Sequence, residues 1–150
     1  TAFLILQGLE TLSLRMEKHI SNTRDIVAFL NEHKEVKSVS YPELENHPDN
    51  KLAQEILPRG CGAVFTFEIE GGLESGKKFI ESLNIFSHLA NVGDAKSLVI
   101  HPASTTHHRM DTLALKNAGI SESTVRLSIG IEDINDLKED LDEALKQANR

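Results

Sequence analysis

Apolar side chains recur along this chain with two different periods, which together predict a mixed α+β fold. In the segment STVRLSIGIE they alternate with polar or small ones, as Val125, Leu127, Ile129 and Ile131 against Arg126, Ser128 and Gly130. Strict alternation is typical of a half-buried strand. The segment AVFTFEIE alternates in the same way and contains Phe65 and Phe67, which we expect in the core.

The first part of the chain shows helical periodicity instead. Apolar positions recur at steps of three and four, as Leu9, Leu12, Met16, Ile20, Thr23, Val27 and Leu30. The pattern predicts one continuous amphipathic helix over residues 9–33, about 37 Å long at 1.5 Å per residue. A helix of this length suits a strut between two domains. The apolar run at residues 3–6 precedes it and predicts a patch that another part of the protein covers.

The remaining elements complete a two-layer arrangement. We expect a weak edge strand at residues 36–41, a short helix at 51–57, a helix at 73–83 and a short strand at 84–89. Asp133 is a credible N-cap of the last helix. Its acidic face should be solvated and comprises Asp136, Glu139, Asp140, Asp142 and Glu143. The predicted fold is a two-layer sandwich, a mixed sheet of about four strands with helices on one face.

Length and charge narrow the class of protein. A chain of 150 residues predicts a single domain over residues 1–150. Its net charge of −7 argues against a nucleic-acid or anionic-membrane partner, since both favour a basic surface. The single cysteine cannot form an internal disulfide. Without an apolar run of about 20 residues or a charged leader, we expect a cytoplasmic protein.

Arg126 is the first candidate for a functional residue. It lies at the centre of a predicted strand and points away from the core side chains. A guanidinium held by a rigid strand is suited to grip a carboxylate, because its planar fork offers paired donors. The alternative is a surface arginine paired with a nearby Asp or Glu.

Histidine and cysteine side chains are weaker candidates. His101, His107 and His108 could suggest zinc, but no cysteine accompanies them, and Cys61 is distant in sequence. We therefore predict no metal site and expect these histidines to cap turns or pack. Cys61 has no activating partner in its local sequence, so a catalytic thiol is disfavoured.

A family resemblance gives these residues roles. The segment AKSLVIHPASTTHHRM, followed by GISESTVRLSIGIEDINDLKEDLDEAL, resembles the C-terminal part of the pyridoxal-phosphate (PLP) enzymes of cysteine and methionine metabolism. Within this family, SLVIHPASTTH and NVGDAKS are most similar to O-acetylhomoserine sulfhydrylases. The resemblance covers essentially the whole chain. It implies that Arg126 binds the α-carboxylate of an amino-acid substrate and that Asn91 helps to hold it.

The same resemblance implies an activity for a larger protein. That activity is a γ-replacement in which O-acetylhomoserine and sulfide, or a thiol, give homocysteine, or methionine, and acetate. Cystathionine γ-synthase, cystathionine γ-lyase and methionine γ-lyase are the alternatives within the family. PLP is expected in a large domain upstream, which residues 1–33 would connect to this one, in a homotetramer.

No catalytic or cofactor-binding residue is predicted in this chain. PLP needs a Schiff-base lysine and groups that hold its phosphate, whereas Lys96 and Lys116 lie in turn-like segments without the flanking pattern. We therefore expect the chain alone to be inactive. The hydroxyls of the HPASTTH segment are expected to cap backbone groups. Without the resemblance, a free-standing amino-acid-binding regulatory module and a structural or oligomerisation domain also fit, since fold alone does not reveal activity.

Overall fold

A five-stranded mixed sheet forms the centre of the computed structural model, which describes residues 2–148 except the side chain of residue 112. The strands are β1 (Val36–Ser40), β2 (Val64–Ile69), β3 (Ser87–His88), β4 (Leu98–Ile100) and β5 (Thr124–Ser128). Their order is β1-β2-β5-β4-β3, with β3 and β4 parallel and the other pairs antiparallel. The middle strand is therefore β5, which bonds to a neighbour on both sides.

Three of the helices pack their apolar stripes on one face of the sheet. The helices are α1 (Ala2–Glu10), α2 (Leu12–Asn31), α3 (Asn50–Ile56), α4 (Gly72–Ser82), α5 (Thr112–Asn117) and α6 (Ile134–Ala148), with a 3-10 turn at Pro102–Ser104. The core side chains come from α2, α4 and α6 and from the alternating positions of β2 and β5. Phe67 of β2 packs edge-on against Phe79 of α4, with ring centroids 5.7 Å apart. The predicted two-layer α+β class is confirmed.

The N-terminal helix differs from the expected continuous one. It is interrupted at Thr11, whose backbone (φ −108°, ψ 7°) leaves the helical region. The Arg15 guanidinium bonds to the Thr11 hydroxyl and donates to the Gly8 carbonyl at 2.9 Å, so it satisfies backbone freed by the break. The apolar side chains of residues 3–6 are 58–70% exposed, as the run predicted. Thr1, the first residue of the predicted connecting segment, lies outside the described residues.

Strand β4 was not expected from the sequence. Leu98, Val99 and Ile100 are all buried, so this strand lacks the alternation that marks β2 and β5. The sheet consequently has five strands instead of about four. Of the strand predicted at residues 84–89, Ser87–His88 forms a two-residue strand parallel to β4.

One of the acidic residues predicted to be solvated is buried. Asp140 is 5% exposed, and its carboxylate accepts hydrogen bonds from the backbone N–H groups of Asn84 (2.8 Å) and Ile85 (2.9 Å). The Asp140 side chain of α6 therefore holds the connection that follows α4. The predicted N-cap of α6 is confirmed, since the Asp133 carboxylate accepts from the Asn135 amide at 2.8 Å. Within residues 2–148, none of the helices is long and apolar enough to cross a membrane.

Candidate functional site

Arg126 projects from the middle strand on the face opposite the helical core. In the ladder it lies opposite Thr66 of β2 and Ile100 of β4. Its sequence neighbours Val125 and Leu127 are fully buried on the helix side, while Arg126 itself is half-buried. The predicted direction of this side chain is thus observed. Strand pairing on both sides fixes the backbone position from which the Arg126 side chain extends.

The guanidinium of Arg126 reaches the turn formed by residues 91–97, which we call the Asn91 turn. Its Nη2 donates to the Asn91 carbonyl at 3.3 Å. Among the described residues, no carboxylate lies within 4 Å of its nitrogens, so the surface ion pair considered as an alternative is not observed. A guanidinium has five N–H donors. Most of them remain open to a carboxylate ligand.

The Asn91 side chain is exposed and weakly held. Its Oδ1 accepts from the Val92 amide at 2.9 Å, and its Nδ2 is 3.5 Å from the Asp94 carboxylate. Asp94 also accepts from the Lys96 amide at 3.1 Å, which stabilises the turn. Gly93 has a φ of +77°, a region that glycine adopts without strain. The Asn91 Nδ2 group can therefore turn toward a ligand bound at Arg126 at little cost.

A mainly apolar cavity of about 250 Å³ adjoins this turn. Its lining includes side chains from α2, β2 and the turn, namely Met16, His19, Val64 and Val92. Cys61 also lines it, and burial, followed by the negative charge of Glu43, raises the pKa of the Cys61 thiol. The thiolate is the reactive form. A raised pKa lowers the fraction of Cys61 in that form.

His101 is a packed residue that holds two segments together. It is fully buried, with Nδ1 2.9 Å from the Ser104 hydroxyl and Nε2 2.8 Å from the Glu122 carbonyl. Because a carbonyl can only accept, Nε2 carries the proton in this tautomer. Burial lowers the pKa of His101, which favours the neutral ring. Its contacts join the segment after β4 to the turn before β5.

The hydroxyl-rich segment after β4 caps its own backbone, as expected. The Thr105 hydroxyl donates to the His101 carbonyl at 2.8 Å. His108 Nδ1 lies 2.7 Å from the Thr105 carbonyl, and His107 Nδ1 lies 2.8 Å from the Thr106 hydroxyl. Each of these contacts is local. Among the described residues, no three His, Cys, Asp or Glu side chains are grouped in a way that could hold a metal ion.

Polar residues on α2 form a link to the end of β5 that the sequence analysis missed. His19 Nδ1 is 2.6 Å from the Ile129 carbonyl. Asn22 Nδ2 donates to the carbonyls of Gly130 (3.1 Å) and Glu132 (2.9 Å). The sequence did contain a signal for this link, because the two polar residues lie three positions apart beside the apolar stripe of the helix. Such positions on a buried face indicate hydrogen bonds to a neighbouring backbone.

Comparison with known proteins gives this architecture a family. The sequence profile of the family described as Cys/Met metabolism PLP-dependent enzyme matches residues 1–146. The O-acetyl-L-homoserine sulfhydrylase of Leptospira meyeri is 49% identical over 146 residues, which are 97% of this chain and 33% of that protein. An L-methionine gamma-lyase of Fusobacterium nucleatum is 40% identical, over 97% of this chain and 37% of that protein.

Comparison of the fold with solved structures gives the same family as the sequence comparison. A crystal structure described as an O-acetylhomoserine (thiol)-lyase of Campylobacter jejuni, with N'-pyridoxyl-lysine-5'-monophosphate at position 205, matches with a TM-score of 0.89 and 40% identity. The match covers 97% of this chain and 34% of that one. The chain therefore spans about a third of the length of the relatives it matches. On sequence and fold together, this chain belongs to the PLP-dependent enzymes of cysteine and methionine metabolism.

Proposed function

We propose that this chain is the substrate-carboxylate-binding, C-terminal domain of a PLP-dependent O-acetylhomoserine sulfhydrylase. The intact enzyme would convert O-acetylhomoserine and sulfide, or a thiol, to homocysteine, or methionine, and acetate. The observation that carries the proposal is Arg126, a half-buried arginine on the middle strand with no carboxylate partner among the described residues. A half-buried guanidinium without a counter-charge is a natural site for a substrate carboxylate.

In this proposal Arg126 positions the substrate and makes or breaks no bond. Two of its N–H groups would bind the two carboxylate oxygens, and Asn91 Nδ2 would donate to one of them. Because the strand fixes Arg126, the bound carboxylate fixes the direction of the substrate Cα–H bond. Holding reacting groups in one orientation is a large part of catalysis.

The proposal places the PLP site outside the described residues. When bound, PLP supplies the electron sink for reactions at Cα. A Schiff-base lysine is activated by desolvation or a neighbouring cation, yet Lys96 and Lys116 are both exposed. We infer that the lysine and the phosphate-binding groups lie in the rest of the protein. The exposed apolar side chains of α1 would then pack against that part, with residues 1–33 as the connection.

The first test is the reaction of the intact enzyme. Greater identity to the sulfhydrylase (49%) than to the γ-lyase (40%) favours replacement over elimination. We expect homocysteine from O-acetylhomoserine and sulfide, and little release of methanethiol from methionine alone. Rapid elimination from methionine would instead favour the second candidate, a methionine γ-lyase.

The second test concerns the assigned residue. Arg126→Ala in the intact enzyme should raise the KM for O-acetylhomoserine at least about tenfold, since a charge-assisted bidentate contact is lost. Arg59→Ala, which removes an exposed arginine in the turn before β2, is the matched control. An unchanged KM in the Arg126 variant would refute the assignment.

Assembly and location remain part of the proposal. The resemblance implies a homotetramer in the cytoplasm, which light scattering and cell fractionation of the intact enzyme would test. A monomer would contradict the first expectation, and a membrane-associated enzyme the second.

A further inference from the structure

The segment that contains Asn91 is held at its far end by a partly buried hydrogen-bond network. Glu132 Oε1 accepts from the Ser97 amide at 2.6 Å, and Oε2 accepts from the Ser97 hydroxyl at 2.9 Å. The Ser97 hydroxyl in turn accepts from the Gly130 amide at 2.8 Å. Ser97 is fully buried. Because the two carboxylate oxygens each receive a separate donor of Ser97, both the position and the orientation of this residue are fixed.

The network brings the backbone at Gly130 unusually close to the backbone of residues 95–97. A Cβ added to Gly130 would lie 2.2 Å from Glu132 Oε2, 2.4 Å from the Ala95 carbonyl and 2.5 Å from the Ser97 amide nitrogen. The Ile131 amide also donates to the Ala95 carbonyl at 3.0 Å. Only glycine permits this approach. The segment that follows β5 is therefore bonded directly to the end of the Asn91 turn.

Both ends of the turn are thus anchored to the same stretch of chain. Arg126 of β5 donates to the Asn91 carbonyl at one end, and Glu132 binds Ser97 at the other. Between these ends, Val92 and Gly93 are exposed and line the cavity.

We propose that Glu132, acting through Ser97, is a positioning residue that sets the placement of Asn91 beside Arg126 and so determines affinity for the substrate carboxylate. The inference rests on the proposed function of Arg126 and Asn91. Glu132 touches no substrate in this scheme. Its effect is to keep the Asn91 turn in the geometry that a two-residue carboxylate site requires.

The test uses the intact enzyme with Glu132→Ala and Ser97→Ala. Each should raise the KM for O-acetylhomoserine about 3- to 10-fold, with kcat within about 2-fold and the KM for sulfide unchanged. Glu132→Gln keeps one acceptor for the Ser97 amide and should give an intermediate KM. Glu143→Gln, on the exposed face of α6, is the control. A variant that merely unfolds loses active enzyme and lowers kcat without this KM pattern.

A double-mutant cycle decides whether the effect passes through Asn91. If it does, Glu132→Ala should change KM by less than about 2-fold once Asn91 is already alanine. Fold-changes that simply multiply, or an unchanged KM in all Glu132 and Ser97 variants, would overturn the inference. Arg126→Ala and Asn91→Ala are measured alongside. If both leave KM unchanged, the proposed function fails, whereas a raised KM there with no effect at Glu132 refutes the positioning role alone.

Discussion

Gly76 of α4 lies directly against the imidazole of His101. A Cβ built on Gly76 would be 2.5 Å from His101 Nε2, closer than any real contact. His101 cannot retreat without cost, since it is fully buried and both ring nitrogens have hydrogen-bond partners. A glycine in the interior of a helix is thereby explained by packing.

We expect Gly76→Ala to destabilise the protein by about 1–3 kcal/mol through overpacking. This sign is opposite to the usual gain of about 0.5–1 kcal/mol for Gly→Ala inside a helix. Urea unfolding measures the change. The control is Gly8→Ala in α1, where nothing lies within 4 Å of the new Cβ, and which should be neutral or slightly stabilising. Equal effects at the two positions would contradict the explanation.

Asp140→Asn should also destabilise the fold, by about 1–3 kcal/mol, because the amide side chain has one acceptor oxygen and one of two backbone N–H groups loses its partner. The amides are those of Asn84 and Ile85. Asp25→Asn, at an exposed position of α2, provides the matched change of charge without burial. Thermal unfolding of both variants tests the prediction. If Asp140→Asn were as stable as Asp25→Asn, the carboxylate would not be holding this corner.

The contribution of Glu43 to the free energy of unfolding should decrease at acidic pH. Its carboxylate binds Arg24 Nε at 2.6 Å and the Cys61 amide at 2.9 Å. Partial burial opposes ionisation of Glu43, but these hydrogen bonds outweigh it and hold the pKa of this carboxyl below its ordinary value of 4.5. A lowered folded pKa stabilises the protein above the ordinary value, and the contribution is lost as pH falls through the folded pKa.

The measurement compares wild type with Glu43→Gln across pH. The difference in unfolding free energy should be constant above pH 4.5 and should shrink toward lower pH, since the ordinary value sets the upper edge of the window. Glu45→Gln, at an exposed position of the same loop, is the matched control. A difference that grew on acidification would reverse the sign and refute the argument.

The 150-residue chain alone should not form a PLP site. No lysine within residues 2–148 is buried, so pyridoxal phosphate can form only weak imines with exposed amines. Absorbance titration should therefore match that of N-acetyl-lysine at equal amine concentration. A saturable band with one equivalent bound would show a self-contained site. Calorimetric binding of a free amino acid would instead favour the regulatory-module alternative.

The strands with alternating side chains could be predicted from the sequence. Alternation identified β2 and β5, because the apolar side chains of each strand face the helices and the more polar ones lie on the other side. It missed β4, whose three residues are buried on both sides. The break at Thr11 was also missed, because the apolar period continues through it while the backbone does not.

For the candidate site, the sequence predicted the direction of the Arg126 side chain but not the contacts around it. Period 2 was sufficient to point Arg126 away from the core, and the resemblance supplied its proposed role. The absence of a nearby carboxylate and the approach of Asn91 depend on contacts between segments 35 residues apart. The same limit applies to Asp140, whose burial results from the α4–β3 connection folding over α6. Local patterns contain no information on such pairings.

The central location of β5 in the sheet has a consequence for how this enzyme family can change its chemistry. Hydrogen-bond ladders on both flanks make the arginine's backbone the least adjustable part of the site. Loops lack such ladders and vary more readily than strands do. Under the proposed function, new substrates would be acquired by remodelling the loops that meet the variable end of an amino acid, while the proposed carboxylate contact of Arg126 would be retained.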